Sequence, residues 1–89
     1  MHTDEFEIAL SRELDVCIGY IRKHRRFLKS METRHGMTTA VFMDLSSIGR
    51  LPPSLDFSDW RKSVEALQHW SATRDEYERL LGVMKISAA

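Results

Sequence analysis

Cysteine is nearly missing from this sequence, since Cys17 is the only one in 89 residues. A lone cysteine excludes an internal disulfide and a zinc site built from several cysteines, and it is compatible with a reducing compartment. His24, His35 and His69 each lack a histidine or a carboxylate four residues further along the chain, where a helical metal site would place a second ligand. We therefore expect a cytoplasmic protein that holds no metal.

Long apolar runs are missing as well. A membrane-spanning helix needs roughly 18 to 20 uncharged residues, and no segment approaches that length. The N-terminal stretch MHTDEFEIALSRELD carries acidic residues where a secretion signal needs a basic start and an apolar core. We expect a protein that neither enters a membrane nor is secreted.

Neither sign of charge dominates, because thirteen basic residues balance thirteen acidic ones. No overall field draws such a chain toward nucleic acid or an anionic membrane. Hydrophobic residues make up 43% of the chain and charged residues 29%, which is typical of a globular protein. A chain of this length predicts one domain, covering residues 1–89.

Proline occurs only at Pro52 and Pro53, and on both sides of this pair apolar residues recur at spacings of three and four. This spacing predicts one long helix from Thr3 to about His35 and another, capped by Asp56 or Ser58, to about Ile86. Each contains a seam of the coiled-coil type. The two seams are Leu10, Leu14, Cys17, Ile21, His24, Leu28, Met31 and Trp60, Ser63, Leu67, Trp70, Arg74, Tyr77, Leu81, Met84.

A short helix is predicted between the two long ones. Gly36 can close the first helix in the left-handed conformation, and Thr38 or Thr39 can cap a new helix that ends near Gly49. The adjacent prolines make the next connection stiff. The predicted fold class is all-α, with two long antiparallel helices and a short helix between them.

Apolar positions extend over roughly 200° of each long helix, twice the stripe that a single contact requires. This surplus predicts a homodimer in which two hairpins form a four-helix bundle, or a helix flank reserved for a different protein. The residues expected to carry the association are Leu14, Ile21, Leu28, Trp60, Leu67, Trp70 and Tyr77.

Two polar residues interrupt the seams. We interpret His24 as a hydrogen-bonded interface histidine. Arg74 would need a carboxylate or carbonyl acceptor within the hairpin, and such a residue tends to fix the register of paired helices.

The strongest local excess of charge is the basic run that begins at Arg22. Arg22, Arg26 and Lys29 share the helix face opposite the seam, where a solvated surface is expected. The alternatives to a protein-binding module are a regulatory dimer that contacts nucleic-acid phosphates through these three residues, and a structural homodimer of unknown role.

No motif of a catalytic or cofactor-binding site is present. The sequence lacks a nucleophile elbow, a phosphate-binding loop and a metal-ligand motif. The Ser and Asp residues of the connecting segments suit helix capping. We expect a protein that is not an enzyme and binds no cofactor.

Three stretches together resemble a known pattern. Residues Glu32–Phe42 read ETRHGMTTAVF, Gly49-Arg50-Leu51 follow, and residues Asp56–Trp60 read DFSDW. Between Glu32 and Leu81 the chain resembles small bacterial helical proteins of toxin-antitoxin-like modules. The resemblance implies an antitoxin-like protein that neutralises a toxin-like protein encoded nearby by binding to it.

Overall fold

The chain is described by a computed structural model that covers the backbone of residues 2–88 and the side chains of residues 5–84. It contains three helices, α1 (His2–His35), α2 (Thr39–Ser47) and α3 (Leu55–Ala88), and residues 2–88 include no strand. The all-α class predicted from the sequence is confirmed.

The long helices α1 and α3 run antiparallel. His35 meets Asp56 at the end where the chain turns, and halfway along the helices the ring of Tyr20 stacks on that of Trp70. At 1.5 Å per residue each 34-residue helix is about 51 Å long. The helices therefore account for the length of the molecule, which measures 56 × 20 × 17 Å.

The turn from α1 to α2 is built by hydrogen bonds of its own residues. Gly36 has a φ of 65°, and its N–H donates to the Glu32 carbonyl at 2.9 Å. The Thr38 hydroxyl caps α2 by accepting from the Val41 N–H, and the Glu32 carboxylate accepts from the Thr39 N–H at 2.7 Å. The predicted glycine closure and threonine cap are confirmed.

The connection from α2 to α3 begins with a second left-handed glycine, Gly49, with a φ of 68°. The helix α3 then starts at Leu55, earlier than predicted. The Ser54 hydroxyl accepts from the Phe57 N–H at 3.4 Å, so Ser54 takes the capping role assigned to Asp56 or Ser58. The Asp56 carboxylate is instead bound by side chains of α1.

The main core lies at the turn end, where all three helices meet. Its buried members are one residue of α1, one of α2 and two of α3: Met31, Phe42, Phe57 and Trp60. The partly buried side chains that pack around them are Phe27, Leu28, Met37, Met43, Leu51 and Val64.

Beyond this core, α1 and α3 contact each other along the predicted seams. Leu10, Cys17, Ile21, Ser63 and Leu81 are buried there. The nine residues of α2 span only about 14 Å, so α2 covers the turn end alone. The remaining half of the hairpin, formed by residues 5–19 and 70–84, is a pair of helices without a third.

Candidate protein-interaction surface

The hairpin has two flanks, and α2 covers one of them. Glu32 of α1 caps α2, and Arg61 of α3 donates to the Ser46 hydroxyl at 3.2 Å. Phe27 lies about 140° around α1 from Glu32, and Lys62 lies about 100° around α3 from Arg61. We name the uncovered side the open flank; it is formed by Val16, Tyr20, Lys23, Phe27, Lys62, Ala66 and Trp70.

Aromatic side chains join the two helices on the open flank. The Tyr20 and Trp70 rings stack with centroids 4.6 Å apart, and the His69 ring meets Trp70 edge-on at 5.1 Å. Tyr20 is 41% exposed and Val16, one helical turn before it, is 47% exposed. Accessible aromatic residues of this kind are enriched in protein interfaces.

A groove of about 350 Å³ lies on the same flank, nearer the turn. Phe27 and Ala66 give it apolar walls, and Lys23, Lys62 and Asp59 also line it. Its volume is at the lower end of the range for small-ligand pockets. An apolar groove between basic side chains can receive an apolar side chain of a partner that has acidic neighbours.

The overall shape leaves much surface in solvent. The radius of gyration is 17.6 Å, compared with about 12 Å for a compact chain of this length. The accessible surface is 6535 Å², about 1,100 Å² more than the size relation for compact monomers gives. The hairpin therefore has surplus surface, and the open flank contains part of its apolar share.

The seven residues predicted to bind a partner fall into two groups. Ile21 and Trp60 are buried, because α3 covers Ile21 and the turn-end core encloses Trp60, so neither contacts a partner in this conformation. Binding of a partner by the seven residues stays a prediction. The five that remain partly exposed are Leu14, Leu28, Leu67, Trp70 and Tyr77.

Tyr20 and Val16 were missed by the sequence analysis. Both lie beside the α1 seam, and together with Phe27 they form a second stripe at spacings of four and seven residues. This spacing was a usable signal. It was overlooked because the prediction took the seam itself for the association surface.

The structure confirms the prediction for one of the two polar seam residues and not for the other. His24 Nδ1 and the Ser63 hydroxyl lie 2.7 Å apart across the hairpin, so the predicted hydrogen-bonded histidine is confirmed. Arg74 donates to the carboxylate of Asp75, its neighbour on α3, at 3.1 and 3.2 Å. Arg74 therefore does not fix the register against α1, because its partner lies on its own helix.

The basic residues Arg22, Arg26 and Lys29 are all exposed. None of the three forms an ion pair with a carboxylate within the described part of the chain. Their charges are consequently free to meet an anionic partner or the solvent.

Other chemistry finds little support in the described residues. No three histidine, cysteine or acidic side chains among them are grouped as metal ligands. Cys17 is buried, and burial together with the negative charge of Glu13 raises the pKa of its thiol, which lowers its reactivity. Within the described helices, no stretch is both long and apolar enough to cross a bilayer.

Comparison with known protein families, curated proteins and solved structures finds no match for this chain. The resemblance to toxin-antitoxin-like proteins therefore stays a prediction. The residues that carry it meet at the turn end, where Glu32 caps α2, His35 binds Asp56, and Trp60 donates to the Thr39 hydroxyl at 3.1 Å. The pattern thus describes how this corner of the hairpin is built.

Proposed function

We propose that this chain is a non-enzymatic protein-binding module whose open flank docks on another polypeptide. The observation that carries the proposal is the partly exposed stripe of Val16, Tyr20 and Trp70 on the side that α2 leaves uncovered. Contiguous apolar surface of this kind marks interaction sites in soluble proteins.

The size of the available surface suits this role. A standard protein interface buries about 800 Å² on each partner. The surplus accessible surface of this hairpin is about 1,100 Å² when compared with a compact chain. Docking of one polypeptide along the open flank would bury an area of that order.

The shape of the hairpin indicates how the helices of such a complex would be arranged. A second helical hairpin on the open flank completes a four-helix bundle, in which every seam residue has neighbours on both sides. With a toxin-like protein as the partner, the same docking would mask the target, as the antitoxin-like resemblance implies. Such a pair would act in the cytoplasm.

The direct test is co-expression of the tagged chain with the products of neighbouring genes. We expect a protein to co-purify with the wild-type chain in fixed stoichiometry and to be lost from the double variant Val16→Glu/Tyr20→Glu. A matched control is Ser11→Glu/Thr33→Glu, which places the same two charges on exposed positions of α1 outside the open flank. The control should retain the complex.

Two results would contradict the proposal. One is a chain that stays monomeric and captures no product of a neighbouring gene. The other is a complex that is equally stable with Val16→Glu/Tyr20→Glu, because the docking surface would then lie elsewhere.

The side chains of Arg22, Arg26 and Lys29 are exposed and form no ion pair with the described residues 5–84, which favours a second candidate, a dimer that binds nucleic acid. Phosphate contacts make affinity fall steeply with salt. Titration with duplex DNA at two salt concentrations tests this function. Binding that is missing at low salt, or that survives reversal of all three residues to glutamate, would eliminate it.

A further inference from the structure

The zero net charge of the chain conceals a division between the two halves of the hairpin. The free half, residues 5–19 and 70–84, holds seven acidic and three basic residues. The turn half, residues 20–34 and 55–69, holds eight basic and four acidic residues. The hairpin is therefore negative at one end and positive at the other, and the contrast comes entirely from α1, because the two halves of α3 carry the same net charge.

We infer that the open flank is occupied by a second copy of this chain, turned end for end. The free half of each copy then lies beside the turn half of the other. The inference rests on the proposed function, because it names the polypeptide that docks on the open flank. It also fixes the orientation of the two copies.

The area supports a second copy. Two hairpins 56 Å long and about 20 Å wide can lie side by side over their whole length. The surplus surface of about 1,100 Å² on each exceeds the roughly 800 Å² that a stable interface takes from each partner. A partner that met only the turn end would leave the stripe around Val16 and Tyr20 in solvent.

The charges decide the orientation. Packed helices lie 8 to 10 Å apart, about one Debye length at physiological ionic strength, so charges across such an interface are only partly screened. Copies that point the same way would place positive beside positive and negative beside negative. Reversed copies place opposite charges together along both halves.

The groove fits the same arrangement. Lys23 and Lys62 line it near the turn. In the reversed pair this end lies beside the free half of the other copy, which contains Glu5, Glu13 and the exposed ring of Phe6. The second copy thus supplies the apolar and acidic groups that the groove accepts.

Two blocks of charge reversal test the orientation. One block changes the acidic residues of the α1 free half to lysine: Glu5, Glu7, Glu13 and Asp15. The other changes basic residues of the turn half to glutamate: Lys23, Arg26, Lys29 and Lys62. Each block alone gives both halves the same sign, whereas the two blocks together exchange the signs of the halves.

Sedimentation equilibrium at low salt gives the dimer dissociation constant. We expect the wild-type chain to sediment at twice its 10.4 kDa mass. Each single block should weaken the dimer at least about tenfold, and the combined chain should return to within about threefold of wild type. Copies that point the same way predict no such pattern, because all four chains would then place like charges together.

The wild-type chain gives a second measurement, should a block variant lose its helical circular dichroism. Salt should weaken a dimer that opposite charges hold, so the dissociation constant is expected to rise between low and high salt. A dimer that salt strengthens would overturn the reversed orientation.

The distance between spin labels on the two copies measures their relative orientation directly. A Ser47→Cys label lies at the turn end, and buried Cys17 should stay unlabelled, which the wild-type chain controls. Reversed copies place the two labels about 40 to 50 Å apart, close to the length of a long helix. Copies that point the same way would hold their α2 helices on the two outer faces, about 25 to 30 Å apart, so a separation below about 35 Å would overturn the inference.

Failure of this inference can be distinguished from failure of the proposed function. A wild-type chain that is monomeric at all concentrations overturns the second copy. If that monomer still binds a neighbouring gene product through Val16 and Tyr20, the proposed function stands. Polymers that lengthen with concentration would show end-to-end contact and also overturn the inference.

Discussion

The ring of Phe42 lies flat on the ring of Trp60, with centroids 4.0 Å apart and planes 2° from parallel. Phe42 is the residue through which α2 enters the core, and it is fully buried between the two long helices. This stack joins α2 to α3 at the turn end, where the ring of His35 in α1 also lies 5.8 Å from the ring of Trp60.

Removal of the Phe42 ring should therefore destabilise the whole hairpin. We expect Phe42→Ala to lower the free energy of unfolding by about 3 to 5 kcal/mol, since truncation of a buried phenylalanine loses transfer free energy and leaves a cavity. Urea denaturation followed by circular dichroism measures the loss. Val41→Ala, the exposed neighbour, is the control and should change stability by less than about 1 kcal/mol. Equal losses for both would contradict the role of the stack.

The glycines predict opposite effects of one substitution. Gly36→Ala should lower stability by about 1 to 2 kcal/mol, because its φ of 65° strains any residue that has a Cβ. Gly19→Ala should raise stability by roughly 0.5 to 1 kcal/mol, because Gly19 lies inside α1 with open space around the added methyl. Thermal denaturation of the two variants compares them. A stabilised Gly36→Ala chain would show that the turn does not need the left-handed conformation.

The contact of Asp56 with α1 predicts a dependence on pH. Hydrogen bonds from Arg34 and from His35 hold the pKa of Asp56 below its ordinary value of 3.8. The folded-state pKa is the lower one, so the stabilisation is complete above the unfolded-state value and is lost as the pH falls through the folded-state value. We expect the difference in urea midpoint between wild type and Asp56→Asn to shrink as the pH is lowered from about 5 to about 2.

The donors of Asp56 provide the control for this experiment. In a chain that carries Arg34→Gln and His35→Gln, Asp56→Asn should have a smaller effect, and the effect should vary less with pH. A pH dependence that is unchanged in that chain would assign it to another group.

The pair of His24 and Ser63 predicts a non-additive result. Ser63→Ala should cost about 0.5 to 1.5 kcal/mol, because the buried side of the histidine loses its hydrogen-bond partner. Adding His24→Leu should recover much of this loss, since two apolar groups then face each other across the seam. A double-mutant cycle from urea denaturation gives the coupling. Additive effects would mean that the 2.7 Å contact contributes nothing to stability.

Much of the fold could be predicted from spacing and capping residues. The helix ends at Gly36 and near Gly49 follow from residues that accept left-handed backbone, and both seams follow from steps of three and four. The start of α3 was missed because Ser54, Asp56 and Ser58 are all good capping residues. The choice among these three capping residues depends on Arg34 and His35, because these side chains of α1 bind the Asp56 carboxylate.

The candidate surface was harder to predict than the helices. Spacing identifies the apolar positions of α1 and α3, but it does not give the flank on which α2 settles. The hydrogen bonds of Glu32 with Thr39 and of Arg61 with Ser46 decide that choice, and they depend on the path of the connections in space. For this reason Trp60 was expected at a partner surface and is instead enclosed, while Tyr20 was missed.

The short reach of α2 also bears on how the molecule opens. The three helices pack together at the turn end, so local unfolding should begin at the other end of the hairpin and proceed toward the turn. Backbone amides of residues 5–15 would then exchange with solvent sooner than those near Met31. Residues 5–15 belong to the acidic half of the proposed contact with a second copy. Formation of the dimer would therefore also order these helix ends, so that dimerisation and local folding share one free energy.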